Sequence, residues 1–252
     1  MNKRYKYNDY PSELENMNQI LAVIPARLGS KRLPKKNIRK LHGKPLLAYT
    51  IDAAKNSRHL NRFVVSTEDI EIAQISQSFS TEVIMRPPKL ARDETPTEDV
   101  IIDVLEQLRN KEQYVPDIIV LLQPTSPLRT TEDIDNAIVT FLNSLGESLI
   151  SVTEYDHTPY WALRIEKGVL KPEFIKGSFK RSQDLPKLYR PNGSIFITRV
   201  KMFLKYRSFY TNQIIPFIMP RERSIDIDDE FDFSITEFLL KNYEGKNWNQ
   251  LR

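Results

Sequence analysis

The amino-terminal part of the chain combines the apolar run ILAVI, residues 20–24, with the loop sequence PARLGSKRLPKKN, residues 25–37. The apolar run is typical of a buried strand. Between Arg27 and Lys44 there are eight Lys or Arg residues and no Asp or Glu. A strand that ends in a small, cation-rich loop is a common way for α/β proteins to bind phosphate groups. The loop has one glycine where a Walker loop has two, so it is not a P-loop.

The positive charge of the chain is concentrated near its amino end. Residues 1–50 hold 11 basic and 3 acidic side chains, whereas the whole chain holds 37 and 33. A local patch of this kind suits a small polyanionic ligand better than a nucleic acid, which usually meets a longer basic stripe. A solvated basic loop without a ligand is the alternative that charge alone leaves open.

Length and composition set ordinary bounds. A chain of 252 residues can bury one α/β core and a smaller appendage. It has no cysteine, which favours a reducing compartment and predicts a cytoplasmic protein. No run approaches the roughly 20 apolar residues of a membrane span, so no membrane association is expected. Residues 1–18 are polar and rich in tyrosine, and we expect a flexible N-terminal extension there.

Strand and helix patterns alternate through the first part of the chain. They predict strands over 62–66, 82–85 and 118–122. They also predict four helices: one that begins at Pro45, one over 68–79, one over 97–110, and one with Thr131 as its cap. This alternation predicts an α/β fold with a doubly wound, mostly parallel sheet. Ligands of such sheets bind beyond the carboxyl ends of the strands. The basic loop and the segments 66–68 and 123–129 all follow strands, so we expect them at that edge.

The sequence changes character after about residue 150. Residues 154–193 are rich in aromatic, proline and charged residues, and these aromatic side chains need burial at a subunit interface or by local packing. We therefore predict that residues 151–213 form a small, protruding, β-rich lobe or a dimerisation arm outside the main sheet. Residues 19–150 and 214–252 would form the α/β core.

Two aspartates near the carboxyl end, Asp226 and Asp228, form the second informative feature. In an extended segment alternate residues share a face, so the two carboxylates can converge on one cation while Ile225 and Ile227 anchor the other face. Mg²⁺ commonly binds through one or two carboxylates together with substrate phosphates. The alternative is an edge strand with solvent-facing acids before a helix.

These motifs occur in an order that resembles the cytidylyltransferases that activate sialic acids, including their legionaminate and pseudaminate relatives. The resemblance covers about residues 20–240 and rests on the IPARxGSKxxxKKN loop at 24–37, the Arg86-Pro87 pair, QPTSPLR at 123–129, YRPNG at 189–193 and IDID at 225–228. It implies a nucleotide-diphospho-sugar transferase-like fold, in which residues 19–150 and 214–252 form the nucleotide-binding core and residues 151–213 form a protruding lobe for sugar binding and dimerisation. It also implies a cytoplasmic homodimer that serves cell-surface polysaccharide biosynthesis.

The resemblance implies transfer of CMP from CTP to the anomeric hydroxyl of a sialic acid-like nonulosonic acid, with Mg²⁺ as cofactor and release of pyrophosphate. It also implies a role for each matching residue. The predicted catalytic residues are Arg27, Lys36 and Asp228; the CTP-binding residues Arg27, Ser30, Lys36, Asn37, Arg86, Thr95 and Thr97; the sugar-binding residues Gln123, Arg164 and Arg190; and the metal ligands Asp226 and Asp228.

Three alternatives remain at this point. The sequence Arg32-Leu33-Pro34 is similar to that of enzymes that activate Kdo, another acidic keto-sugar, although Lys36-Asn37 favours the sialate group. A catalytically silent nucleotide-binding homologue would not need the aspartate pair. A nucleic-acid-binding protein is disfavoured, because the segment from Arg27 to Lys44 has no aromatic residue on which bases could stack.

Overall fold

The computed structural model of the protein describes residues 18–174 and 180–243. The expected N-terminal extension therefore lies outside the described residues, apart from Asn18 at its end. The strands are β1 Ile20–Pro25, β2 Lys40–Leu41, β3 Lys44–Pro45, β4 Arg62–Thr67, β5 Glu82–Met85, β6 Ile118–Leu122, β7 Ser148–Glu154, β8 Leu163–Glu166, β9 Val169–Pro172, β10 Tyr189–Arg199 and β11 Ile214–Ile218. The α-helices are α1 Leu46–Lys55, α2 Ile70–Ser78, α3 Thr97–Glu112, α4 Thr131–Leu142, α5 Val200–Tyr206 and α6 Glu230–Tyr243.

Seven strands form one central sheet in the order β11-β7-β10-β6-β1-β4-β5. β10 runs antiparallel to both of its neighbours, and the other pairs in this sheet are parallel. The predicted mostly parallel sheet is thus confirmed. The central strand β6 reads IIVLL and is buried along its whole length, as expected for a strand covered on both faces.

Helices cover both faces of this sheet, which confirms the doubly wound arrangement. Alternate residues of β1 point to opposite faces. Ile20, Ala22 and Ile24 pack in a core with residues of α1, α2 and α4, whereas Leu21 and Val23 pack in a second core with residues of α3 and α5.

A third apolar cluster lies at one edge of the sheet and joins segments that are distant in sequence. It contains Leu33 from the basic loop, Leu128 from the loop after β6, Ile227 from between the two aspartates, and Phe233 from α6. The prediction that Ile227 anchors the aspartate segment is confirmed, because its side chain is fully buried in this cluster.

The boundary predicted for the lobe differs from the arrangement in the structure. Within residues 151–213, β10 lies between β6 and β7 in the central sheet, and Phe203 of α5 is buried in the second core. The separate part is narrower and contains a two-stranded sheet, the β8–β9 hairpin. Residues 194–198 of β10 form an apolar run that is typical of a strand, but a local pattern of this kind does not show that the strand inserts into the main sheet.

Two helix starts differ from the sequence predictions for local reasons. Thr130, and not Thr131, caps α4: its hydroxyl accepts a hydrogen bond from the Asp133 amide at 3.1 Å, and Asp133 Oδ2 accepts one from the Thr130 amide at 3.0 Å. Pro45 lies in β3 as the N-cap of α1, one residue before the helix begins. Among the described residues, the helices are all too short or too polar to cross a membrane.

Replacement of Phe203 tests whether α5 belongs to the core. Phe203 is fully buried, so Phe203→Ala should lower the free energy of unfolding by about 3–5 kcal/mol, measured by urea denaturation. Phe238 on α6 is 61% exposed, and Phe238→Ala should change the free energy of unfolding by about 0.5 kcal/mol or less. An equally small effect of both variants would contradict this placement of α5.

Candidate active site

A cleft of about 490 Å³ opens at the carboxyl edge of the parallel strands. Its walls come from the basic loop after β1, the loop after β5 with the start of α3, the loop after β6, and the segment that carries the two aspartates. These are the positions at which doubly wound sheets bind ligands. The lining residues that the sequence predicted are Arg27, Ser30, Lys36, Asn37, Arg86, Thr95, Thr97, Gln123, Asp226 and Asp228.

The basic loop is held against its strand by buried polar contacts. Asn37 is buried, and its amide donates a hydrogen bond of 2.8 Å to the carbonyl of Arg27, so the two ends of the loop are tied together. The Leu28 amide donates to Glu68 Oε1 at 2.9 Å. This organisation places Arg27 and Lys36 in the cleft wall, with the Arg27 side chain about one-third exposed.

Arg86 is not a surface arginine: the residue is 5% exposed and lies in the cleft wall. Its guanidinium donates two hydrogen bonds to Glu68 Oε2, at 2.7 and 3.1 Å. Burial lowers the pKa of Arg86, although the nearby Glu68 carboxylate opposes this effect. Because Glu68 also binds the Leu28 amide, one carboxylate joins the basic loop to the segment after β5.

The two aspartates differ in environment. Burial raises the pKa of Asp226, and the negative charge of Asp228 adds to that rise. Asp226 Oδ1 is buried and has no hydrogen-bond donor among the described residues. Asp228 is 45% exposed, and its carboxylate contacts Arg32 Nη2 at 3.0 Å and Lys36 Nζ at 3.4 Å. The pair lines the cleft and does not face away from it as solvent-facing acids would.

Gln123 and Asp226 meet at Gly193, where a side chain would not fit. A Cβ atom on Gly193 would lie 2.9 Å from Gln123 Oε1 and 3.1 Å from Asp226 Oδ2, and the residue has a φ of +75°. Arg129 fixes the backbone next to this contact, since its guanidinium donates hydrogen bonds to the carbonyls of Gln123 at 3.2 Å and Ser194 at 2.8 Å. Burial lowers the pKa of Arg129 to about 9, so its guanidinium stays charged at neutral pH.

Two predicted sugar-binding residues lie away from this cleft within one chain. Arg164 is on the exposed β8–β9 hairpin and pairs with Glu173 Oε2 at 3.4 Å. Arg190 is on β10 opposite Thr153. Neither side chain lines the cleft.

The structure also brings acidic residues into the site that the sequence analysis did not assign. Glu68 follows β4 at the same edge, and its position after a strand was the available signal. Asp93 lies in the cleft wall on the loop after β5, and no sequence pattern pointed to it. Among the described residues, no group of three or more His, Cys, Asp or Glu side chains could hold a metal ion by itself.

The fold and the cleft together define a doubly wound α/β protein in which cations and carboxylates face a common space. Comparison of the sequence with protein families identifies the particular class. The chain belongs to the cytidylyltransferase family, whose family model matches residues 21–239.

Individual relatives agree with this assignment. The chain is 38% identical over 227 residues to the CMP-N,N'-diacetyllegionaminic acid synthase of Legionella pneumophila. The aligned region covers 88% of this chain and 97% of that protein. It is 34% identical to an N-acylneuraminate cytidylyltransferase of Streptococcus agalactiae, over 84% of this chain and 51% of that protein. It is 30% identical to a pseudaminic acid cytidylyltransferase of Campylobacter jejuni, over 89% of this chain and 98% of that protein.

Solved structures show the same fold at lower sequence identity. A CMP:2-keto-3-deoxy-manno-octonic acid synthetase complexed with CTP superimposes with a TM-score of 0.68 and 17% identity, covering 88% of this chain and 98% of that one. A 4-diphosphocytidyl-2C-methyl-D-erythritol synthase superimposes with a TM-score of 0.66 and 14% identity, covering 90% and 100%. At this identity the likeness concerns the fold alone.

Removal of the Glu68 carboxylate should destabilise the site and the fold together. Glu68→Ala leaves Arg86 buried without its partner, and we expect a loss of about 3–5 kcal/mol in the free energy of unfolding, measured by chemical denaturation. Glu71, in the first turn of α2, is a matched control, because its ion pair with Lys35 is exposed. Glu71→Ala should change stability by about 1 kcal/mol or less. Equal losses in the two variants would refute the structural role of the buried pair.

Proposed function

We propose that this cytidylyltransferase transfers CMP from CTP to the anomeric hydroxyl of a sialic acid-like nonulosonic acid, with release of pyrophosphate. One observation carries the proposal: the basic loop and the aspartate pair face each other across a single cleft, and Lys36 contacts Asp228 there. Relatives named for legionaminic, N-acylneuraminic and pseudaminic acids support the substrate class. We favour the legionaminate or neuraminate type over pseudaminate, and Kdo is the alternative.

The positive charge of the basic loop can offset the repulsion between the two anionic substrates of this reaction. CTP and the acidic sugar are both anions, so they repel each other until positive groups surround them. We assign Arg27, Ser30, Lys36 and Asn37 to the triphosphate. In the transfer, the sugar hydroxyl would lose its proton to Asp228 or to water, its oxygen would form a bond to the α-phosphorus, and the bond from that phosphorus to the pyrophosphate oxygen would break. Arg27 and Lys36 would stabilise the charge that develops on the leaving group.

The rest of the cleft offers sites for the base and the sugar. Arg86 and the segment with Thr95 and Thr97 form the wall that we assign to cytosine. Thr95 Oγ1 donates to the carbonyl of Lys89 at 3.2 Å and closes that loop. Gln123, held beside Asp226, is assigned to the sugar.

The aspartate pair fits Mg²⁺. Asp226 Oδ1 is a buried acceptor without a donor among the described residues, and a hard cation prefers such an oxygen ligand. With two carboxylates present, substrate phosphates would complete the coordination. When bound, Mg²⁺ would neutralise phosphate charge and lower the pKa of a coordinated hydroxyl. The Asp228 carboxylate already contacts the positively charged side chains of Lys36 and Arg32.

A homodimer would complete the sugar site, and we propose that the β8–β9 hairpin takes part in it. Its apolar side chains are solvent-exposed in the single chain, with Ile165 77% and Leu170 62% exposed. Arg164 on this hairpin and Arg190 on β10 do not line the cleft of their own chain, and we propose that they approach a sugar carboxylate in the cleft of a second copy. The absence of cysteine favours activity in the cytoplasm.

Pyrophosphate release tests the proposed function directly. With CTP and Mg²⁺, we expect turnover with legionaminic or N-acetylneuraminic acid and much less with pseudaminic acid or Kdo. Replacement of CTP by UTP should abolish turnover if the cleft selects cytosine. Turnover with Kdo alone would move the protein to the alternative, and absence of turnover with all four sugars would refute the proposal.

The metal role of the aspartate pair predicts the behaviour of Asp228→Asn. This variant should keep its thermal unfolding midpoint and most of its CTP affinity but lose nearly all turnover, because the amide cannot replace a carboxylate ligand. Glu230→Gln is a matched control, since Glu230 pairs with Arg39 outside the cleft lining. It should keep nearly wild-type turnover. Wild-type rates in Asp228→Asn would contradict the metal role.

A further inference from the structure

Arg27 and Lys31 of the basic loop share one carboxylate, that of Asp93. Arg27 Nη1 lies 2.6 Å from Asp93 Oδ1, and Lys31 Nζ lies 2.7 Å from Asp93 Oδ2. Each oxygen of the carboxylate therefore binds one cation. Two oxygens presented to an arginine and a lysine imitate the contacts that a phosphate group would make.

Asp93 comes from the opposite side of the cleft. It lies on the loop between β5 and α3, whereas Arg27 and Lys31 lie on the loop after β1, and all three line the cleft. The contact therefore bridges the two walls in the region that the proposed function assigns to the triphosphate. A ligand phosphate and the Asp93 carboxylate cannot occupy the same donors at once.

The exposure of the Asp93 contacts distinguishes them from the Glu68–Arg86 ion pair beside the cleft. Glu68 and Arg86 form a buried pair, with side-chain exposures of 14% and 3%, and that pair belongs to the fold. The side chains of Asp93 and Lys31 are 37% and 84% exposed. Exposed ion pairs add little to stability, so an anionic ligand can replace Asp93 without unfolding the loop.

We propose that Asp93 sets the phosphate affinity and selectivity of the cleft: it occupies the Arg27 and Lys31 donors in the free protein and yields them to a ligand of sufficient charge. This inference rests on the proposed function in one respect, that the basic loop binds the triphosphate. Lys31 first, and then Arg27, lower the pKa of Asp93, so the carboxylate is ionised at neutral pH.

Competition of this kind has a direct consequence for ligand choice. A triphosphate presents several oxygens and a high negative charge, so it replaces the Asp93 contacts and adds others. A monophosphate or free phosphate gains little beyond what Asp93 already supplies. Pyrophosphate, the product, would bind less tightly than it would to unoccupied cations, which favours its release.

Calorimetric titration with inorganic tripolyphosphate tests the competition without needing cytosine, sugar or turnover. Titrations are done at low ionic strength without Mg²⁺, because salt screens exposed charges. Asp93→Asn should bind tripolyphosphate about five-fold more tightly than the wild type, as expected for loss of one competing exposed ion pair. Asp93→Glu keeps the charge and should bind like the wild type.

Glu71→Gln is the matched control for charge, because Glu71 pairs with Lys35 of the same loop but neither residue lines the cleft. It should change the affinity by less than about two-fold. Unchanged or weaker binding by Asp93→Asn would overturn the proposal, as would equal tightening by Glu71→Gln. If the wild type binds CTP and tripolyphosphate, such a result leaves the proposed function intact. Binding of neither by the wild type would refute both.

Discussion

The position of one residue, Ile227, holds the two halves of the cleft together. Its side chain is buried with Leu33 of the basic loop, its amide donates to the carbonyl of Thr125 at 2.8 Å, and its carbonyl accepts from Lys36 Nζ at 2.6 Å. One residue thus contacts the loop after β1 and the loop after β6. Because Asp226 and Asp228 flank it, fixing Ile227 also fixes both carboxylates beside the cations. The residue contributes no charge, yet the electrostatic arrangement of the cleft depends on its burial.

The carboxylates that pair with the cations of the cleft differ in their exposure to solvent. Glu68 is 14% exposed and pairs with the buried Arg86, so it acts as part of the scaffold. Asp228 is about half exposed and contacts Lys36. Asp93 is 37% exposed, between Glu68 and Asp228, and it bridges the two walls. Burial decides which of these pairs hold the fold together and which are available to a ligand, because the cost of separating a pair rises as water is excluded.

The antiparallel strand β10 connects the central sheet to the residues proposed to bind sugar and metal. Its pairing with β7 is interrupted between Pro191 and Phe196. Asn192 is buried at this irregularity, where it accepts a hydrogen bond from Ser151 Oγ at 2.6 Å and donates one to Ser224 Oγ at 2.9 Å. This polar network places Gly193 against Gln123 and Asp226. A departure from regular pairing therefore brings the proposed sugar and metal residues together.

The sequence by itself determined the alternation of strands and helices, the buried strand Ile118–Leu122, and ten residues that line one cleft, because periodicity, local charge and ordered motifs are local properties of a chain. Only the tertiary structure decided that β10 inserts into the main sheet, that Glu68 pairs with Arg86, and that Asp93 meets the basic loop. The partners in these contacts lie 18 or more residues apart. Such pairings depend on which loops share an edge of the sheet and on how deeply each charge is buried, and neither quantity is encoded in a short stretch of sequence.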